Sequence, residues 1–477
     1  MAGIKVGSAL APAKMKVDEQ VPLYILLVGN FHGSGQPKRS TPIEVDRDNI
    51  YELPAELQVR LEGILASSAG ATQSIDFEEF DDFQPDALVE KLELFEQFRT
   101  LRRRLKNPKH FDSAAAEVLA WGDNATEASS EVPVSPAAPG SEDLFADVLA
   151  QSVDVDRSPL ESGNWQAFIQ KVLADSKIER VDPREDDLVA LVDQAIAETM
   201  RGVLRSRSFR QLETTWLGLK WLTFYVETHA KLKIFVLDIS TESFQSQLDA
   251  ADWSVTALAQ QITRPWQTPG ATPWGLIGCL FPWSSNQDDL IRLSRFGDIC
   301  QEAGAALAVE LQGSEADWLS TEEAKQETWN RNRLTRPMQS IAGLWPRVQW
   351  RLPYGKKTKP VESFAFEEVP PTGQADLVWG SPVWLALAAI AQGYHEFGWK
   401  LDTSAVSQFT DLPLYFNPNG DGDAHPCGEY LLTDSQIEHL MQIGLSPIVS
   451  FKNQDRVQLR GIQSLAGGRW LGPWSSP

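Results

Sequence analysis

Several stretches of this 477-residue sequence combine residue types that could do chemistry, and each stops short of the pattern its chemistry requires. Gly355-Lys356-Lys357-Thr358 carries the end of a phosphate-binding loop, in which backbone amides cradle phosphate oxygens and a lysine meets their charge. Such a loop needs a glycine five positions before the Gly-Lys pair, and Trp350 stands there, so the segment reads as a basic loop after a Pro-Tyr turn. Asn417-Pro418-Asn419-Gly420-Asp421-Gly422 has the oxygen-rich front of a calcium loop. Its twelfth position, which should bring a bidentate glutamate, is Gly428, with Glu429 one residue late. A Gly/Asn/Asp turn is the simpler reading. His425 and Cys427 lack the second pair of a four-ligand zinc site. His395-Glu396 is followed by Trp399 where a zinc-protease helix would carry its second histidine. No serine sits in a Gly-x-Ser-x-Gly elbow. The adjacent acids Asp81-Asp82 and Glu367-Glu368 read as caps or solvated faces. With six histidines and none in a motif, the sequence predicts no catalytic, cofactor or metal site, and not an enzyme. An enzyme on an α/β scaffold with an unrecognised site stands as an alternative, because fold alone does not exclude it.

Composition narrows the partners. The net charge of −22 repels phosphate backbones and argues against nucleic acid. Three scattered cysteines, Cys279, Cys300 and Cys427, with no Cys-x-x-Cys, fit a reducing compartment. The first residues lack the apolar core of an export signal. The apolar run at 383–391 is too short to span a bilayer, so no membrane partner and a cytoplasmic location are expected. Seventeen tryptophans suit large packing surfaces, either a core or an interface.

The elements follow from periodicity. Residues 21–29 predict a buried strand; 52–65 could be strand or helix. Residues 84–106 predict one amphipathic helix, with Pro85 near its start and Arg102, Arg103, Arg104 and Lys106 in its last turn. Small, polar, acidic residues at 122–142 predict a flexible linker. This divides the chain into parts at 1–121 and 143–477. Beyond it, 143–153 predicts a short helix. Asp182-Pro183 caps a helix running to about Arg205, and 209–229 predicts a second. Strands at 231–240, 274–283 and 305–311, a helix at 288–303, a buried helix at 381–394, and helix, strand, turn, strand over 431–465 give an α/β layer with a mainly parallel sheet.

Two families then come into view. Residues 21–33, 41–50 and 76–105 resemble the small subunit of the contractile sheath of type VI secretion systems, most specifically at Asp82-Phe83-x-Pro85-Asp86-x-Leu88. Residues 208–222 are similar to a signature of the large sheath subunit in Phe209, Leu212, Glu213, Trp216, Gly218 and Leu219; Leu217 stands where that family has arginine. Residues 351–355, 364–368, 379–380, 395–402 and 440–465 follow the large subunit in order.

The resemblance implies a sheath-subunit-like α/β (α+β) fold, with a small N-terminal α/β part packed on a larger mixed-sheet part. It implies a structural role in, or accessory to, the sheath, acting by protein–protein assembly. Expected partners are other sheath subunits or itself, inner tube and baseplate proteins, and an AAA+ recycling unfoldase. The large family continues beyond the point matching Pro477, so the C-terminal part is expected to be truncated. Ile4-Lys5-Val6-Gly7 would donate a strand to a neighbour. A truncated cap or regulator that does not polymerise is the alternative. The helix at 86–105 is expected to dock on the C-terminal part, through an interface of Leu88, Leu92, Phe95 and Leu101 with Phe209, Leu212, Glu213 and Trp216. Leu144, Val148 and Leu149 would carry unfoldase recognition.

Overall fold

The computed structural model describes residues 21–64, 73–123, 185–320, 323–370, 376–416 and 424–475. In chain order the strands are β1 (Leu23–Gly29), β2 (Ile43–Val45), β3 (Val59–Glu62), β4 (Ser74–Phe77), β5 (Leu232–Asp238), β6 (Trp274–Trp283), β7 (Ala306–Leu311), β8 (Ile341–Trp345), β9 (Val348–Gln349), β10 (Trp379–Gly380), β11 (Ser407–Phe409), β12 (Leu445–Ser450) and β13 (Val457–Leu459). Nine of them form one mixed sheet in the order β11-β13-β12-β8-β7-β6-β1-β5-β2. Its middle is parallel and its margins are antiparallel.

β1 is buried along almost its whole length because the run LYILLVG has no polar face to give to water. It lies parallel between β5 and β6, in register from Leu23 opposite Leu232 to Gly29 opposite Asp238. The expected boundary at the linker therefore divides the chain without dividing the sheet: β1 and β2 come from the N-terminal part and the other seven strands from the C-terminal part. Alternate residues go to opposite faces, as the two-residue strand period requires. Leu23, Ile25 and Leu27 join one core, and Leu26 and Val28 join the other.

The single helix expected at 84–106 proves to be two, α2 (Pro85–Lys91) and α3 (Leu94–Leu105), because Leu92 takes an extended conformation, φ −84° and ψ 122°. Leu92 is buried there, so packing, not a helix-breaking residue, makes the break. The stretch 52–65 contains both alternatives, α1 (Leu53–Leu57) and β3. Residues 107–121, where the sequence predicts no element, hold most of α4 (Phe111–Asp123). The short strands β2, β4 and β8 were likewise without a signal long enough to predict.

On one face of the sheet lie α5 (Glu185–Arg205), α6 (Arg207–Tyr225) and a later helix, Val383–Phe397. On the other lie α7 (Thr241–Asp249), α8 (Ala257–Gln267) and α9 (Gln287–Glu302). The helix Val383–Phe397, here α10, presses Trp384 against Gly218 of α6. A Cβ on Gly218 would sit 2.1 Å from Trp384 Nε1. The signature glycine is thus a seat for an indole. Gly218→Ala should lower stability by about 1–3 kcal/mol through overpacking, against its gain in helix propensity. Urea denaturation checks this, and an unchanged or higher midpoint would refute it.

Candidate functional site

The residues that the sequence singles out gather where the N-terminal part meets α5 and α6. Leu88, Leu92, Phe95 and Leu101 are buried in the same core as Phe209, Leu212 and Trp216. α3 packs along α5. Arg102 donates two hydrogen bonds to Asp193, at 2.6 and 3.2 Å, fixing that packing with a bidentate ion pair.

Phe209 and Trp216 meet rings that the sequence reading did not assign to the interface. Phe77 and Phe83 stack at 4.3 Å and lie 6.3 and 6.1 Å from Phe209. Phe31 and Phe80 meet Trp216 edge-on at 6.1 and 5.8 Å. The Trp216 indole N–H donates to the Phe31 carbonyl at 3.1 Å. Gly33 has a φ of +87°, which suits glycine, and a Cβ there would sit 2.3 Å from the Arg60 carbonyl oxygen and 3.3 Å from Leu212 Cδ2. An aromatic spacing of three around Phe77, Phe80 and Phe83 was the available signal, though it gives no partner.

The Asp82-Phe83-x-Pro85-Asp86-x-Leu88 stretch now has a role at each position. Asp82 accepts from the amides of Glu78 and Glu79 at 2.7 and 3.0 Å and pairs with Lys91 at 2.6 Å. Burial alone would raise its pKa, but Lys91 and those amides outweigh it and hold the carboxyl below its usual range. Pro85 opens α2, where a missing N–H costs nothing. Asp86 crosses to the C-terminal part and accepts from the Glu362 and Ser363 amides at 3.1 and 2.8 Å.

Further polar links tie the two parts. The Asp238 carboxylate, at the end of β5, accepts from the Phe31 amide at 2.9 Å and meets His32 Nδ1 at 2.7 Å, all buried. Tyr394 and Trp399 both donate to the Val21 carbonyl, at 3.0 and 2.8 Å. Arg47 donates to the Thr223 and Phe224 carbonyls at the end of α6, where unpaired carbonyls and the helix dipole favour a cation.

Glu213 turns elsewhere. Its carboxylate pairs with Arg351 at 2.6 Å, and Arg351 also pairs with Glu368 at 2.7 Å. All three are under 8 % exposed. Burial pushes the Glu213 carboxyl above its usual range, partly opposed by Arg351. Burial works against the Arg351 charge, but the two carboxylates outweigh it and hold the guanidinium firmly protonated. Glu368 also accepts the Tyr354 amide at 2.8 Å, and Arg351 lies over the Tyr354 ring at 4.4 Å. The signature glutamate is therefore a pillar of the C-terminal part rather than a contact between the two parts.

In doubly wound α/β folds ligands bind beyond the carboxyl ends of the parallel strands. Here rings fill that end of β6: Phe244 stacks on Phe281 at 4.4 Å, with Trp283 and Phe296 around it. The phosphate-loop-like segment closes on itself instead, the Gly355 amide donating to Lys359 at 2.9 Å. Among the described residues no three metal-ligating side chains converge. Cys427 is buried, its thiol pushed up to about 12 by desolvation. The calcium-like loop at 417–422 and the residues Leu144, Val148 and Leu149 lie outside the described residues. Among the described residues no helix is long and apolar enough to cross a membrane.

Comparison with known proteins agrees with this organisation. Residues 186–466 match the family described as "EvpB/VC_A0108, tail sheath N-terminal domain". Residues 4–116 match that described as "Type VI secretion system, VipA, VC_A0107 or Hcp2". The chain is 25 % identical over 384 residues to the type VI secretion system sheath protein TssC1 of Pseudomonas aeruginosa strain PAO1, covering 74 % of each.

Two outcomes test the buried charges. Arg351→Met leaves two carboxylates facing each other and should cost roughly 3–5 kcal/mol, while adding Glu213→Gln and Glu368→Gln should recover much of that in urea denaturation. A loss below about 1 kcal/mol for Arg351→Met would refute the pillar role. Glu310 on β7 is pushed up by burial to about 7, with Arg347 opposing. Its pKa is raised on folding, so its stabilising contribution is full below the unfolded value of 4.5 and is lost as pH climbs through about 7. The slope is at most about 1.4 kcal/mol per pH unit, and Glu310→Gln should abolish it in denaturation series between those values.

Proposed function

The chain belongs to the type VI secretion sheath family, carrying small-subunit and large-subunit parts in one polypeptide, and from that premise we propose that it acts as a prefabricated building block whose two parts are clasped before assembly. It is a structural sheath component that assembles with other sheath subunits. The observation that carries the clasp is β1, a strand of the small-subunit part held between two strands of the large-subunit part. The buried leucine and phenylalanine contacts, Arg102–Asp193 and the Asp86 cap set the relative position of the parts. A rigid unit of this kind can store free energy in repeated contacts and release it by repacking, which requires neither turnover nor cofactor.

In this reading the protein is not an enzyme and works in the cytoplasm, with the inner tube and baseplate as further partners. What supports the non-catalytic reading is that rings pack together at the carboxyl end of β6 and that the buried charges bind one another. Recognition of Leu144, Val148 and Leu149 by a recycling unfoldase, through their helical spacing, is part of the same proposal.

Cutting the chain between residues 140 and 141 tests the clasp. Each piece produced alone should be insoluble or unfolded, because β5 and β6 then face an empty place and β1 has no partners. Co-production should give a one-to-one complex with the circular dichroism of the intact chain. A C-terminal piece that is monodisperse and fully folded alone would overturn the proposal.

A further inference from the structure

The outer strand of a sheet is a template on which another chain can pair, and β2 is one of the two outer strands here. It comes from the small-subunit part and runs antiparallel to β5, Ile43 opposite Val236 and Val45 opposite Ile234. Along a strand the backbone groups of alternate residues point to the same side. The Glu44 carbonyl and the Asp46 amide bond to one side chain, that of Asn49. Asn49 Nδ2 donates to the Glu44 carbonyl at 2.9 Å, and the Asp46 amide donates to Asn49 Oδ1 at 3.0 Å. Glu44 and Asp46 therefore turn their groups outward, while Ile43 and Val45 turn theirs to β5.

One primary amide thus does for β2 what a residue of an added parallel strand would do. It offers a donor to one carbonyl and an acceptor to the N–H two residues on. The neighbouring outward groups are engaged or missing as well. The Asp46 carbonyl accepts from the Ile50 amide at 3.2 Å, and Pro42 has no N–H to offer. The Asn49 side chain is held in place for this. Asp46 Oδ1 accepts from the Asp48 and Asn49 amides at 2.9 and 3.1 Å, closing the turn, and fully buried Ile50 anchors the chain beyond it. On the strand itself Glu44 pairs with Lys233 of β5 at 2.9 Å, so an added strand would also have to pack beside fixed charge.

We infer that Asn49 closes this edge of the sheet against strand addition by a second copy of the chain. A second copy is the neighbour to be excluded, because two β2 strands related by a two-fold axis present the same edge to each other and would pair antiparallel. Such pairing would join two nine-stranded sheets into one and compete with every ordered arrangement of the blocks. With the edge closed, copies that assemble do so through other surfaces. The role goes beyond assembly itself, since the edge is closed whether or not copies join elsewhere. Asn49 lies in the 41–50 stretch of small-subunit pattern, and its place in that pattern acquires a physical reason.

The test places a reporter thiol on the edge. Glu44 is exposed, whereas the natural Cys279, Cys300 and Cys427 are buried, so Glu44→Cys adds an accessible thiol on β2. The full chain carrying Glu44→Cys alone, with Asn49→Ala, or with Asn49→Ser is treated with a short bismaleimide, and cross-linked dimer is read on denaturing gels. Circular dichroism and thermal unfolding report the fold. Serine keeps a polar turn residue but cannot bond both outward groups, so it decides the matter if the alanine variant does not fold. Each folded double variant should give at least about fivefold more dimer than Glu44→Cys alone. Equal yields from the single and the folded double variants would overturn the role of Asn49 and leave the assembly reading standing.

Discussion

A parallel strand with partners on both sides cannot be taken out of a sheet without orphaning two rows of backbone donors and acceptors, and β1 occupies that position. Its seven residues pair with β5 throughout and with β6 over most of their length. Each unpaired buried amide or carbonyl costs on the order of 1–3 kcal/mol, so this one placement outweighs any single side-chain contact between the parts. Two sets of polar links act at the ends of β1. Val21, just before it, is held by Tyr394 and Trp399; Phe31 and His32, just after it, are held by Asp238. Polar clamps at both ends oppose sliding, and a slip of one residue would exchange Leu26 and Val28 with Ile25 and Leu27 between the two cores.

The same economy appears in the signature residues of the large-subunit part. Glu213, Arg351 and Glu368 come from three separated blocks of sequence and meet as a closed ionic triad. Gly218 and Gly380 are seats for Trp384 and Trp350, with a Cβ placed 2.1 and 2.3 Å from the indoles. Trp216 and Phe209 receive the phenylalanines of the small-subunit part. A buried triad contributes little net stability when intact and is costly when broken, so its effect is to penalise wrong arrangements. That property suits a unit that must be identical to its neighbours.

The sequence was most readable where a single element carries its own signal. β1, β5, β6, β7, α5, α6 and α9 lie within a few residues of their predicted bounds, because long apolar runs and a 3.6-residue period declare themselves locally. What stayed hidden is non-local. Nothing in LYILLVG says that its neighbours lie more than 200 residues away, Leu23 opposite Leu232 and Leu26 opposite Ile277. The break at Leu92 has no glycine or proline to announce it, and β2 is too short for a pattern. The interface was legible in part. Family pattern marks Phe209, Leu212, Glu213 and Trp216, but it does not say that Phe209 and Trp216 meet Phe31, Phe77, Phe80 and Phe83 or that Glu213 pairs with Arg351. A residue type can be marked by its family pattern, but only the fold tells whether a charge points across an interface or into its own half.

Joining the parts covalently has a consequence for how the sheet is completed. Contacts between β1 and its neighbours span about the first half of the chain, and pairing of such high sequence separation is slow because loop closure must precede it. As separate chains the two parts would also have to find each other before β5 and β6 met a competing edge. In one polypeptide the search becomes intramolecular, at an effective concentration on the order of millimolar. The N-terminal strand is made first, and each large-subunit part then has one small-subunit part at hand, so stoichiometry is built in. For a polymer of identical blocks, a block lacking its β1 would expose two strand edges and nucleate the wrong contacts. The fused chain keeps β1 tethered to the strands it joins, which disfavours that species.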